Sequence, residues 1–313
     1  MLEKGKAMDL WQIEHILKIA EEKNITRAAE KLFLTQSALN QQLLKLEHEL
    51  GTTLFKRSKN NLTPTKAGEL YLEGAKEIIR VKQRTYSRIA DLTDSNKGHI
   101  IMGFTPGRGP DMFTNVYPIF HKNYPNTIVE PREMSVAKLQ PLIAAGDLDL
   151  AFVTLFPNQR TDDEYLSLYD EEIFLAVPGN HEVNKYAEQI NGHTIISFAN
   201  LKDEAFILMY KESTLRKRLN QIFRDAQFVP TILFETVNNS TIMEMVKAGI
   251  CCGFVPKYAT QNYRNCGINY YSLPTPLHWD VMVTYQKGAI LSKAAKLFIQ
   301  YAKEYWVTAS SLG

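Results

Sequence analysis

Thr35, Gln36, Ser37, Asn40 and Gln41 lie within two helical turns, and all carry amide or hydroxyl groups. Side chains of that reach and polarity, at the start of a helix, suit hydrogen bonding to base edges in a major groove. Arg27, Lys31, Lys45 and Arg57 flank them and offer cations to a phosphate backbone. A second group lies where predicted strands end: Thr105, Pro106 and Arg108, then Thr154, Met209 and Tyr210, then Val237, Asn238 and Asn239. Ligands of open α/β sheets bind at such strand ends. Thr105 and the free N–H groups of the helix after it suit a carboxylate or another anion, and Arg108 can clamp one bidentately. Asn238 and Asn239 read first as helix caps, and Met209 and Tyr210 also serve packing. Catalytic signatures are missing: there is no GxSxG elbow, Walker loop or HExxH helix. The seven histidines have no metal-ligand spacing among themselves or with cysteine. The expectation is a binding protein, with no catalytic residue, metal or cofactor.

The elements that position the first group are short helices. Leu10, Ile13, Ile16, Leu17 and Ala20 share one face of a first helix. A second, with Thr26 as its expected cap, buries Ala28, Ala29 and Leu32. Phe33 and Leu34 turn the chain, and Thr35 caps a third, whose stripe is Leu39, Leu43, Leu46 and Leu50. Gly51 ends it, and a small wing follows from Leu54 and Phe55, tipped by Lys56, Arg57, Lys59, Asn60 and Asn61. A long helix from Thr65 to about Leu92 carries Leu72, Ala75, Ile79, Lys82, Tyr86 and Ile89 at alternating spacings of three and four, a coiled-coil seam. Such a helix needs a partner for its seam, which predicts a dimer.

From Gly98 onward strands alternate with helices, which predicts a parallel sheet with crossover connections. Strands are expected over 99–104, 127–132, 146–153, 206–209, 231–235, 252–255 and 280–285. Helices are expected over 110–123, 136–145, 213–225, 240–248 and 292–306. Two lobes with a crevice between them follow.

A chain of 313 residues suits two or three domains. Its net charge of +2 is uneven, since residues 1–97 carry about +4 and the rest about −2, and a basic N-terminal part suits a polyanion. No apolar run reaches a membrane span, and three cysteines without framework spacing point to a reducing cytoplasm. Cys251 and Cys252, beside Ile250 and Phe254, read as small apolar core residues rather than reactive thiols.

Ala28-Ala29, Leu32, Gln36-Ser37-Ala38, Leu46-Glu47, Leu50-Gly51, Leu54-Phe55, Arg57, Leu62-Thr63 and Gly68 together resemble the winged helix-turn-helix of LysR-type transcriptional regulators. Asn40 departs from the serine most common there. Gly98 to Gly103, Phe120 with Tyr124-Pro125, Gly146-Asp147-Leu148-Asp149, and Val246-Lys247-Ala248-Gly249 leading to Pro256 are similar to the effector domain of the same family, with Cys251 in place of a usual glycine. The fold so implied is α+β and multi-domain. A winged helix-turn-helix DNA-binding domain spans 1–66, a linker helix spans 67–97, and a two-lobed α/β effector domain like a periplasmic binding protein spans 98–313. Lobe 1 would take about 98–168 and 272–313, and lobe 2 about 169–271. The resemblance also implies double-stranded DNA as partner, a small-molecule effector between the lobes, a homodimer through the linker helix, and tetramers.

Overall fold

The computed structural model describes residues 9–58, 61–92 and 98–311. Its packing separates the chain into two compact units, Met1–Ile89 and Ala90–Gly313.

In the first unit, helices α1 (Leu10–Glu22), α2 (Ile25–Lys31) and α3 (Gln36–Leu50) precede an antiparallel wing, β1 (Phe55–Ser58) and β2 (Asn61–Pro64), and then α4 (Lys66–Leu92). Each of the first three helices starts on a side-chain acceptor. Asp9 accepts from Trp11 N–H, Asn24 from the N–H groups of Thr26 and Arg27, and Thr35 from Ala38 N–H. The cap of α2 is therefore Asn24 and not Thr26, which already lies inside the helix. Ile16, Ile19, Ala28, Ala29, Leu39, Leu43, Leu46, Leu54, Phe55 and Leu62 form one core. Ile19 belongs to it although the stripe drawn from sequence omits it. Leu10, which that stripe includes, and Leu50 of the third helix's stripe are 38% and 47% exposed. They sit at helix ends, where the chain turns away from the core.

Buried Glu47 ties α3 to the wing, accepting the N–H groups of Leu54 at 2.7 Å and Phe55 at 3.2 Å. The predicted seam of α4 begins against its own unit. Ala75 is buried, Leu72 packs on the core, and Lys82 donates to Glu14 at 2.7 Å. Among the described residues, Leu70, Val81, Tyr86 and Ile89 are the large apolar side chains left exposed on this helix. Lys59 and Asn60 of the wing tip, and the residues 93–97 expected to end the linker, lie outside the described residues.

The second unit runs β3 (Gly98–Phe104), α5 (Arg108–Asn123), β4 (Thr127–Glu133), α6 (Val136–Ala145), β5 (Leu150–Leu155), β6 (Glu164–Pro178), β7 (Glu188–Ile190), β8 (His193–Ile195), β9 (Ala205–Met209), α7 (Thr214–Asp225), β10 (Thr231–Thr236), α8 (Asn239–Lys247), β11 (Cys252–Pro256), α9 (Lys257–Thr260), β12 (Ile268–Tyr285) and α10 (Lys293–Ser311). The sheet order is β10-β9-β11-β6-β12-β5-β3-β4. β3 pairs in parallel with β4 and β5, and β9 with β10 and β11, as crossover helices require. Between these two parallel sets run β6 and β12, antiparallel, from Ile268 opposite Pro178 to Tyr285 opposite Glu164, with a register slip between Ser272 and Leu277. This ribbon joins the lobes. Its strand β6 and most of β12 were not expected from sequence, because Tyr169-Asp170-Glu171-Glu172 interrupts the apolar alternation of one and Pro274 and Pro276 that of the other.

One lobe packs α5 and α10 on Ile100, Met102, Phe104, Leu150 and Phe152, and covers the other sheet face with Leu139 and Ile143 of α6. The other lobe is built around Phe206, Phe223, Phe228 and Phe254.

A Cβ at Gly68 would stand 2.0 Å from the Leu54 carbonyl oxygen, which already accepts the Thr65 N–H. Gly68→Ala should therefore lower the stability of the first unit, although alanine favours a helix by roughly 1 kcal/mol. Urea unfolding followed by far-UV circular dichroism tests this, and an earlier first transition is the expected result.

Candidate functional site

On the first unit, α3 presents Gln36, Ser37 and Gln41 to solvent, with Lys31, Lys45 and Arg57 also exposed. Thr35 spends its hydroxyl on the helix cap. Arg27 donates to the Glu22 carbonyl at 2.7 Å, which bridges α1 and α2. The wing reaches back to the helix, since Arg57 Nη2 donates to Asn40 Oδ1 at 3.0 Å. Arginine has only donors, so the atom of Asn40 facing it must be the oxygen. The amide NH₂ of Asn40 is left to point elsewhere.

On the second unit a cavity between the lobes is lined by Thr105, Pro106, Arg108, Val136 and Thr154 from one side and Met209, Tyr210, Ser213, Thr214, Leu215, Asn239 and Tyr258 from the other, with Trp279 of the ribbon. It encloses only about 40 Å³. Seven of the nine residues expected from sequence line it. Val237 does not, its side chain being 46% exposed, and Asn238 lines a different cavity. Asn238 is the N-cap residue of α8, but its side chain makes no cap hydrogen bond.

Arg108, Val136, Thr214 and Asn239 are the first residues of α5, α6, α7 and α8. Four helix N-termini thus open onto one small space, each with the positive end of its dipole. At α5, however, the free N–H groups expected after Thr105 are not available: those of Arg108 and Gly109 donate to the Pro106 and Thr105 carbonyls, and Pro110 has none. Sequence reading missed Ser213 and Thr214 as lining, although they are a helix start after a strand. Tyr258 lies two residues past β11, at another strand end, with no motif of its own to mark it. Trp279 had no local signal while its strand went unrecognised.

Arg108 departs from its expected role as an anion clamp. It is 5% exposed, and its two Nη atoms donate to the Tyr169 hydroxyl and to Glu171 Oε2. Its guanidinium stands 4.0 Å from the Tyr258 ring centroid. Glu171, 3% exposed, also accepts Trp279 Nε1–H at 2.8 Å and Tyr258 N–H at 2.9 Å. Arg108 Nε, buried and without a hydrogen-bond partner, is a donor left to meet a ligand. Burial holds the Tyr258 hydroxyl above its ordinary pKa, with nearby Arg108 opposing that rise, so it stays protonated.

Cys251 and Cys252 are buried, and burial pushes their thiols up to about 11 and about 12. Thiolate is scarce at neutral pH under those conditions, which suits packing rather than redox chemistry. Among the described residues no group of three or more His, Cys, Asp or Glu could hold a metal ion, and no helix is long and apolar enough to cross a membrane.

Residues 10–69 match the model of the bacterial regulatory helix-turn-helix protein, lysR family, and residues 93–307 match that of the LysR substrate binding domain. The HTH-type transcriptional regulator YwbI of Bacillus subtilis is 28% identical, over 95% of this chain and 97% of its own. A full-length cysteine variant of OxyR from Pseudomonas aeruginosa shares the fold with a TM-score of 0.66 and 22% identity, covering 95% of this chain and 97% of that one. Full-length CbnR complexed with its target DNA shares it at a TM-score of 0.61 and 20% identity, covering 95% and 99%.

Removing one member of the buried Arg108–Glu171 pair strands the other charge, at a cost of roughly 3–5 kcal/mol. Arg108→Met and Glu171→Gln should each destabilise the second unit by that order. The double variant should lose less than the two combined, and urea unfolding of all three checks the coupling. Additive losses would mean the two groups do not act as a pair.

Proposed function

This chain belongs to the LysR family of DNA-binding transcriptional regulators, and we propose that it is a cytoplasmic homo-oligomer that reads a two-fold-related DNA site under the control of a small anion. The convergence of four helix N-termini on the interlobe cavity carries the anion reading. Thr105, Ser213 and Thr214 add hydroxyls and Arg108 Nε adds a buried donor, so the lining is rich in hydrogen-bond donors. Exposed Leu70, Val81, Tyr86 and Ile89 on α4 supply the apolar surface for a second copy, which would place two α3 helices on one duplex.

In this reading Gln36, Ser37, Asn40 and Gln41 face the bases, while Arg27, Lys31, Lys45 and Arg57 serve phosphates. Arg57 also fixes Asn40 with its NH₂ outward, so that Asn40 selects a base-edge acceptor such as guanine O6 or N7. Asn40→Ala should then lose roughly 1–3 kcal/mol of discrimination at one base pair. Arg57→Ala should weaken binding to every sequence and flatten the salt dependence. Competition titrations against single-base operator variants at several salt concentrations separate the two outcomes. Undiminished discrimination by Asn40→Ala would remove that residue from the reading face.

The effector half has its own test. A panel of small carboxylic and phosphoric acids should contain members that raise the unfolding temperature of the second unit. Thr105→Val should abolish that rise while DNA affinity stays unchanged. A rise that persists in Thr105→Val would take Thr105 out of the site.

A further inference from the structure

A second interlobe cavity, of about 530 Å³, lies across the Arg108–Glu171–Tyr258 cluster from the first. Asp111 and Asn115 of α5, Tyr305 and Trp306 of α10, Asp170 of the ribbon and Tyr263 beyond α9 line it, with Asn238, Asn239 and Ser240 at the start of α8. It has the volume of a small-molecule site, and its chemistry is opposite to that of the first cavity. Arg108 neutralises Glu171 and is not part of the lining. The carboxylates of Asp111 and Asp170 then face a single lysine, Lys257, itself exposed. One oxygen of Asp111 accepts from the Tyr305 hydroxyl at 2.7 Å, and one of Asp170 meets His278 at 2.6 Å. Each carboxylate retains acceptor capacity on its second oxygen. Asn239 commits its Nδ2 to the Tyr258 hydroxyl at 2.7 Å, and its Oδ1 is buried with no hydrogen-bond partner. Acceptors and aromatic rings together favour a cation that donates hydrogen bonds.

We propose that this cavity is a second ligand site, selective for a small organic cation bearing a protonated amine, and distinct from the anion site of the cleft. The Asp111 and Asp170 carboxylates hold the ammonium, the rings of Tyr263, Tyr305 and Trp306 cover its carbon skeleton, and Asn239 Oδ1 takes a ligand donor. The two sites share Asn239 and Tyr258 in their walls, so occupancy of one alters the boundary of the other.

Isothermal titration of the full-length protein with putrescine, ethanolamine, choline and glucosamine, with acetate and benzoate as anionic controls, tests the assignment. At least one amine should bind with a dissociation constant below about 1 mM and, in the Thr105→Val background that disables the cleft, at least tenfold tighter than either anion. Asp111→Asn keeps an acceptor for Tyr305 but removes the charge, and should weaken that amine tenfold or more. Ala259→Phe, which fills the cavity from its rim, should do the same, whereas Thr105→Val should leave amine binding unchanged. Absence of binding by all four amines overturns the proposal, as does amine affinity undiminished in both Asp111→Asn and Ala259→Phe. Loss of amine binding in Thr105→Val would assign the amine to the cleft and likewise overturn it. None of these outcomes depends on whether an anion binds the first cavity.

Discussion

The effector half is organised around one carboxylate. Glu171 sits midway along β6, where the ribbon passes from one lobe to the other. It collects a guanidinium from the first helix of one lobe, a backbone N–H from α9 of the other, and the indole N–H of Trp279 on the neighbouring strand. Three pieces of chain distant in sequence are therefore held by one side chain. Burying two charges costs several kcal/mol each, and their attraction offsets that only with good geometry and further hydrogen bonds. Glu171 has those bonds. The stack of Arg108 on Tyr258 supplies an apolar surface on which a guanidinium, weakly hydrated and planar, sits better than an ammonium would. The pair is therefore better understood as a device that selects one relation between the lobes than as a source of net stability.

The same logic, one polar side chain joining elements that apolar packing alone leaves loose, recurs in the first unit. Glu47 holds the last turn of α3 to the base of the wing, and Arg57 returns from the wing to Asn40. A reading helix in this arrangement does not present its amides independently of the wing. The contact is specific to a chain with asparagine at position 40. A serine hydroxyl is shorter and would not span to the arginine in the same way. Sequence reading treated Asn40 and Arg57 as separate contributors, one to bases and one to phosphate. The hydrogen bond between them couples their positions.

The helices were legible wherever a local rule sufficed. Thr35 as a cap, Gly51 as a left-handed terminator and the Leu39–Leu43–Leu46 stripe all follow from neighbours a few residues apart. Failures cluster where the deciding partner is remote. The spacing of Lys82 marks a seam position, but gives no sign of its ion pair with Glu14, sixty-eight residues earlier. Arg108 was read as a loop cation free for a ligand, but it opens α5 and meets Glu171. β6 and most of β12 escaped because a ribbon that crosses two lobes is buried differently along its length, and no single periodicity describes it. The candidate cleft fared better, since the ends of parallel strands face one space whatever the details of packing.

The size of that cleft constrains any mechanism for the switch. About 40 Å³ is room for a water or two, far below the several hundred Å³ of an ordinary ligand site. In the proposed reading an anion of several heavy atoms would need the lobes further apart than here, and Arg108 and Tyr258 lie on the wall that would move. Binding free energy is then divided between meeting the four helix N-termini and rearranging the Arg108–Glu171 contacts. A ligand shifts the equilibrium only by its preference for the rearranged state over this one. An anion drawn to the proposed site by those helix ends would compete with Glu171 for Arg108. The ion pair at the ribbon would then act both as the lock on the present arrangement and as the element through which the ligand reports its presence.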